Sequence, residues 1–188
     1  MTWMQRVAAL PARRLSVSAT VLAVLAAAAA LAVAARIQIP FWPVPMTAQT
    51  LAVLLGGALL GPRRGTAAVA TYLLAGAAGL PVFAQNLGPA ALVGPTGGYL
   101  LGFLPAAYLA GLAAQRGWMR SWPRAFGSML AADAAIFAVG LAWLGLWMSA
   151  SGSLTLSAWL ISGAAMFLPA EAVKIALAAG AAGAFHRR

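Results

Sequence analysis

The chain has no cysteine, one histidine, one lysine and two acidic residues among its 188 positions. Without cysteine there is no disulfide, no thiolate nucleophile and no cysteine-ligated metal. His186 stands alone in the C-terminal Phe-His-Arg-Arg run, so no histidine metal cluster forms within one chain. The only lysine, Lys174, follows Glu-Ala-Val, and no Gly-x-x-x-x-Gly-Lys-Ser/Thr loop exists to bind and hydrolyse ATP. Charge of any kind is scarce. Charged residues make up 7% of the chain and hydrophobic ones 63%, against roughly 25% charged in soluble domains. The sequence therefore reads as a single membrane domain, 1–188, in a lipid bilayer.

A formal net charge of +10 invites nucleic acid as a partner, but the placement of the arginines argues against it. Apolar runs at approximately 15–35, 46–60, 65–80, 97–114, 125–148 and 154–185 predict an all-α integral membrane protein with six transmembrane helices. Arg6, Arg13 and Arg14 precede the first run, Arg63 and Arg64 join the second to the third, and Arg116, Arg120 and Arg124 join the fourth to the fifth. Arg187 and Arg188 follow the last. Ten of eleven arginines then share one side, cytoplasmic by the positive-inside rule, and only Arg36 falls on the other. Both termini are expected in the cytoplasm, with the chain multi-pass in the plasma membrane. An odd number of spans would scatter the pattern. The first run, 21 residues, exceeds the ~7–15-residue core of a cleaved signal and is read as a retained helix.

The outer connections are irregular. Residues 37–45, Ile-Gln-Ile-Pro-Phe-Trp-Pro-Val-Pro, hold three prolines that cannot sit inside a regular helix. Residues 80–95, Leu-Pro-Val-Phe-Ala-Gln-Asn-Leu-Gly-Pro-Ala-Ala-Leu-Val-Gly-Pro, are equally apolar and broken. Such backbone persists at membrane depth only where it packs inside protein or lines a cavity. Loops one and three are thus expected to roof an outward-facing cavity. The inner turns, 61–65 and 116–123, are short and basic and read as topology anchors.

All three scarce charges lie inside apolar runs. A charge at the centre of a spanning helix costs at least ~2.5–3.5 kcal/mol, so function is the default reading. Glu171 and Lys174 stand three residues apart on one helix face, and Glu171 lies two residues beyond Pro169, where a kink is expected. Asp133 falls at a similar depth on the fifth span. One reading is an Asp133–Lys174 ion pair that locks the bundle. Desolvation of a buried pair can exceed its Coulombic gain, however. The other reading is a floor of acceptors and donors for a small polar ligand.

Residues 44–55, Val-Pro-Met-Thr-Ala-Gln-Thr-Leu-Ala-Val-Leu-Leu, continue through 57–65, Gly-Ala-Leu-Leu-Gly-Pro-Arg-Arg-Gly. Gly-Leu-Pro-Val-Phe-Ala follows at 79–84 and Gly-Pro-Thr-Gly-Gly-Tyr-Leu-Leu-Gly-Phe at 94–103. From about residue 15 to its end the chain resembles the BioY family, the biotin-binding S-components of energy-coupling-factor transporters. That family carries Asp and then Lys three residues later on its last helix. Glu171 and Lys174 match those positions, with Glu in place of Asp lengthening the reach by one methylene.

The resemblance implies biotin as ligand, no cofactor, no catalysis, and delivery through a membrane coupling subunit and ABC-type ATPase subunits. It implies that Glu171 accepts from the ligand's N–H groups and Lys174 donates to it or orients Glu171. Gln49, Asn86, Thr96, Tyr99 and Asp133 are the further polar candidates. Gly94, Gly97 and Gly98 are read as a tight loop-to-helix turn. Phe41, Trp42 and Phe83 are candidate covers over an apolar ring, and Arg36 is read as an interface anchor or a mouth cation. Ala19, Ala23 and Ala27, spaced for close helix approach, are implied to dock on the coupling subunit. Another vitamin remains an alternative ligand, and an ion-coupled secondary transporter using Asp133 and Glu171 an alternative class.

Overall fold

The computed structural model describes residues 16–187. Ser16 opens the first helix, its hydroxyl accepting from the Ala19 backbone N–H at 3.2 Å as a cap for α1, Val17–Ala34. The proline-rich stretch after it folds into a two-rung antiparallel ribbon, β1 Gln38–Ile39 on β2 Met46–Thr47, with Gln38 opposite Thr47. Then come α2, Gln49–Leu60, α3, Pro62–Ala77, α4, Gly97–Gln115, and α5, Trp122–Ala150. A short helix, Leu156–Leu160, leads through a π-helical turn, Ile161–Ala165, into α6, Leu168–Arg187.

Among the described residues four stretches are long and apolar enough to cross a membrane: Val17–Ala34, Gly97–Gln115, Trp122–Ala150 and Leu156–Arg187. α2 and α3 have 12 and 16 residues, which rise only ~18 and ~24 Å. Two details differ from the sequence-based expectation. The turn predicted over 61–65 is made by Gly61 alone, at φ +82°, and Pro62 begins α3 directly. Proline suits that first position because its missing N–H would have had no helical partner. The last run is also not one kinked helix. Its break falls upstream of Pro169, at the π turn, so that Pro169 occupies the opening turn of α6.

α4 is the hub, with α2, α3 and α5 packed on it; α6 lies against α5 and α2, and α1 against α3 and α2. Small residues set these distances. A Cβ on Gly57 of α2 would lie 2.4 Å from the Ala107 carbonyl oxygen of α4, and one on Gly65 of α3 would lie 2.7 Å from Gly57 Cα. Ala106, Ala107 and Ala110 of α4 are fully buried. Close backbone approach of this kind drives helix association where the solvent is itself apolar.

The two ends of the bundle differ chemically. At one end Gly61 neighbours Gln115, Gly111 abuts Pro62, Gly183 abuts the Met119 carbonyl, and His186 Nε2 lies 3.0 Å from the Ala58 carbonyl. Those contacts gather Arg63, Arg64, Arg116, Arg120 and Arg187. At the other end Arg36 donates to Asn86 Oδ1 and to the Pro81 carbonyl, tying α1 to the loop after α3. Arg6, Arg13, Arg14 and Arg188 lie outside the described residues.

Candidate ligand-binding site

Near the start of α6, Glu171 and Lys174 form an ion pair, with Nζ 2.6 Å from Oε1 and side chains only 4% and 14% exposed. Two further groups complete it. The Thr50 hydroxyl donates to Glu171 Oε2 at 2.8 Å and accepts from Lys174 Nζ at 3.1 Å. Lys174 Nζ also donates to the Thr47 carbonyl at 2.6 Å. An ammonium has three donors, and here all three have partners: Glu171, Thr50 and Thr47. This spends Lys174 entirely on α2, β2 and its own helix.

Loop one makes this possible. Its prolines stop helix formation and the β1–β2 ribbon turns the chain back, so the Thr47 carbonyl is presented to α6 and α2 starts at Gln49. Gln49 is buried; its Nε2 donates to Tyr72 OH at 2.7 Å and its Oε1 accepts from Thr47 Oγ1 at 3.2 Å. Tyr72 OH donates in turn to the Val82 carbonyl at 3.3 Å. The polar chain thus runs from loop one through α2 and α3 to loop three. Phe83 locks the same corner. Its ring meets Tyr72 edge-on at 5.3 Å and lies where a Cβ on Gly76 would be, 2.1 Å from Cζ.

Between these groups is a cavity of about 60 Å³. Thr47, Gln49, Thr50, Thr96, Tyr99 and Glu171 supply its polar lining, and Phe83, Leu100, Phe103, Ile136, Phe137 and Phe167 most of its apolar wall. Tyr99 is fixed by its hydroxyl, which donates to the Gly163 carbonyl at 2.7 Å, and by the edge-on ring of Phe137 at 5.9 Å. The acceptor is a product of the break in the last span. Thr96 Oγ1 donates to the Ala91 carbonyl at 2.9 Å and so braces the loop-three turn. An apolar box with a few fixed polar groups on one wall is the usual form of a small-molecule site.

Of the residues expected from sequence, Glu171, Gln49, Thr96 and Tyr99 line the cavity together. Lys174 stands behind Glu171 and reaches the site through it. Asn86 lies in the roof, with its side chain engaged by Arg36. Asp133 is 4% exposed on α5, its Oδ1 has no hydrogen-bond partner, and it is not part of the cavity wall. Among the described residues Lys174 bridges only to Glu171, so the Asp133–Lys174 lock is not formed. Phe83 faces the cavity, whereas Trp42 is 80% exposed. Thr47 and Thr50 are site residues that the sequence pattern alone does not single out. Their i, i+3 spacing around Gln49 is the available signal, a second polar pair able to face the first. No group of three His, Cys, Asp or Glu able to hold a metal exists among the described residues.

Comparison with known proteins identifies the family. The sequence profile of the BioY family matches residues 5–188. The biotin transporter BioY of Thermotoga maritima is 48% identical over 114 residues, 60% of this chain and 66% of that protein. The biotin transporter BioY of Rhodobacter capsulatus is 38% identical over 143 residues, 70% of this chain and 73% of that protein. The chain thus spans just under two thirds of the Thermotoga relative and somewhat more of the Rhodobacter one. A crystal structure of the S-component for biotin from an ECF-type ABC transporter superposes with a TM-score of 0.76 at 26% identity, covering 100% of this chain and 95% of that one. A fold shared from end to end and a profile match over nearly every residue lead to one assignment: the chain belongs to the BioY family.

Proposed function

We propose that this chain is the biotin-binding membrane component of a vitamin uptake system, capturing biotin from outside and passing it inward. The observation that carries the reading is the closed Glu171–Lys174–Thr50 set at the edge of an apolar cavity, in a chain whose relatives are named biotin transporters. Biotin is chemically apt for such a site. Its ureido ring has two N–H donors and a carbonyl, its thiophane ring is apolar, and its valerate chain ends in a carboxylate. Glu171 keeps acceptor capacity beyond its bonds to Lys174 and Thr50 and serves the N–H groups. The Phe103, Phe137 and Phe167 rings suit the thiophane. Gln49, Thr96 and Tyr99 supply the remaining polar contacts, while Asn86 and Arg36 hold the roof.

Six spans with both termini cytoplasmic is the orientation that the gathered arginines support, since the end holding Arg63, Arg64, Arg116, Arg120 and Arg187 is then inside. The cavity lies toward the other end, where loops one and three supply Val44, Pro45, Phe83 and Leu87 to its lining. No nucleotide-binding loop is present in the sequence, so ATP-driven delivery requires a coupling subunit and ATPase subunits as separate chains. Ala23 and Ala27 lie in an apolar groove shared with Ala52, Leu55 and Gly56 of α2. We place the coupling subunit on this face, with Ala19 one turn further along. Ala23→Leu should then abolish co-purification with a coupling subunit while leaving ligand binding intact. Retained co-purification would move the docking face elsewhere.

Equilibrium binding of biotin to the detergent-solubilised chain, with thiamine and riboflavin as controls, tests the ligand. Selective, saturable biotin binding is the expected result. Binding of a control vitamin in its place would reassign the ligand, and uptake into vesicles driven by a proton gradient alone would reassign the class.

A further inference from the structure

The chain has two acidic side chains, Asp133 and Glu171, and both are buried inside the bundle. Among the described residues the only ion pair is Lys174 with Glu171. No arginine at the basic end therefore meets a carboxylate side chain of its own chain. Their counter-anions come from outside. One of these arginines, Arg124 in the first turn of α5, stands at the head of a groove.

The groove, of about 400 Å³, is lined by Trp118, Arg124, Gly127, Ser128 and Ala131. Arg124, Gly127 and Ala131 are exposed, so it runs along the outer side of α5. Its two halves differ in chemistry. At the head, Arg124 has no side-chain hydrogen bond among the described residues. Trp143 and Trp159 donate Nε1 to backbone carbonyls, whereas the exposed Trp118 Nε1 has no such partner among the described residues. Arg116 stacks on the Trp118 indole, its guanidinium carbon 5.4 Å from the ring centroid, and brings a second cation to the head. Further along, the lining offers no free polar side chain. Gly127 and Ala131 present backbone and a methyl, and Ser128 donates its hydroxyl back to the Ala125 carbonyl at 2.9 Å. From Arg124 to Ala131 the helix rises ~10 Å. Nothing lies within 4 Å of the place a Cβ on Gly127 would take, so the apolar half is open.

Cationic donors above a smooth apolar wall match the polarity of a phospholipid, anionic at the head and hydrocarbon below. A second copy of the chain fits worse. Copies in one membrane share an orientation, so pairing this face with itself would set Arg116 and Arg124 against their own duplicates. We propose that the groove holds one anionic phospholipid from the leaflet at the basic end. Its phosphate accepts from the Arg124 guanidinium and from Trp118 Nε1, and an acyl chain lies along Gly127 and Ala131. This site is separate from the inner cavity and does not depend on which vitamin that cavity holds.

Native mass spectrometry of the delipidated, detergent-solubilised chain, titrated with phosphatidylglycerol, tests the site. The first phosphatidylglycerol should bind about tenfold or more tightly than the next, and more tightly than phosphatidylcholine by a similar factor. Arg124→Gln should weaken that first adduct by about tenfold, the loss of one charge-assisted contact. Gly127→Leu fills the apolar half and should weaken it about as much with every charge kept. Arg63→Gln, the same charge change at an exposed arginine outside the groove, should leave affinity within about twofold of the parent. Each variant should melt in lipid-free detergent at or above the parent's temperature, which reports folding without reference to any ligand. Equal affinity for phosphatidylcholine, or equal weakening by Arg63→Gln, would overturn the proposal. Undiminished binding in Gly127→Leu, or equally tight binding of glycerol phosphate, would overturn it by leaving the acyl chain no part. A parent dimer that Gly127→Leu turns into a monomer would overturn it as well and give the groove to a second copy.

Discussion

Lys174→Ala is expected to weaken biotin binding by about 30- to 5,000-fold, the ~2–5 kcal/mol that follows when one partner of a buried charge pair is truncated. The reason is what remains. Glu171, with its side chain 4% exposed, would keep a single hydrogen bond from Thr50 and lose its counter-charge. The Thr47 carbonyl would lose its donor too, which unfastens β2 from α6. A binding titration beside a thermal-unfolding measurement separates loss of ligand contact from loss of fold. Lys174→Arg is the informative partner, since it restores charge but not the compact three-donor geometry. Wild-type affinity in Lys174→Ala would remove the pair from the site.

Much of this is legible in the sequence because the membrane simplifies the reading. Charge is so costly in a bilayer that Glu171 and Lys174 declare themselves, and their i, i+3 spacing on one helix implies the pair that the structure contains. Helix positions follow from apolar runs, and loops one and three from their prolines. What cannot be read depends on tertiary contacts. Lys174 faces Thr47 and Thr50 rather than Asp133 because loop one folds back as a ribbon, and three prolines do not encode where that ribbon lands. The polarity of Asn86 suggests a ligand contact. It sits instead at φ +56° in a turn whose side chain is taken by Arg36, fifty residues away in sequence. The π turn has no local signature in Ile-Ser-Gly-Ala-Ala. A Cβ on its Gly163 would meet the methyl ends of Leu141 and Leu144 at 2.6 and 2.9 Å and the Tyr99 hydroxyl at 3.2 Å, contacts made by residues far away in sequence.

Two adjacent glycines on α2 should respond in opposite ways to the same added methyl group. At Gly56 nothing lies within 4 Å of the place a Cβ would take, so Gly56→Ala should be neutral or should stabilise the helix by up to ~1 kcal/mol. Gly57 has the backbone of α4 there, with Ala107 oxygen at 2.4 Å and Ala107 Cα at 3.0 Å, and Gly65 of α3 approaches the same glycine. A backbone cannot swing aside as a side-chain end can. Gly57→Ala must therefore push α2 off α4, at a cost of ~1–3 kcal/mol for overpacking. The consequence reaches the site, because Thr50 lies two turns earlier on the same face of α2, and its hydroxyl is held between Glu171 and Lys174 by contacts of 2.8 and 3.1 Å. Gly57→Ala should thus lower the apparent melting temperature in detergent and weaken biotin binding together, while Gly56→Ala preserves both. Saturating biotin should recover part of the lost melting temperature, since a ligand that binds only the folded form stabilises it. Equal behaviour of the two variants would mean that the α2–α4 contact does not set the position of Thr50.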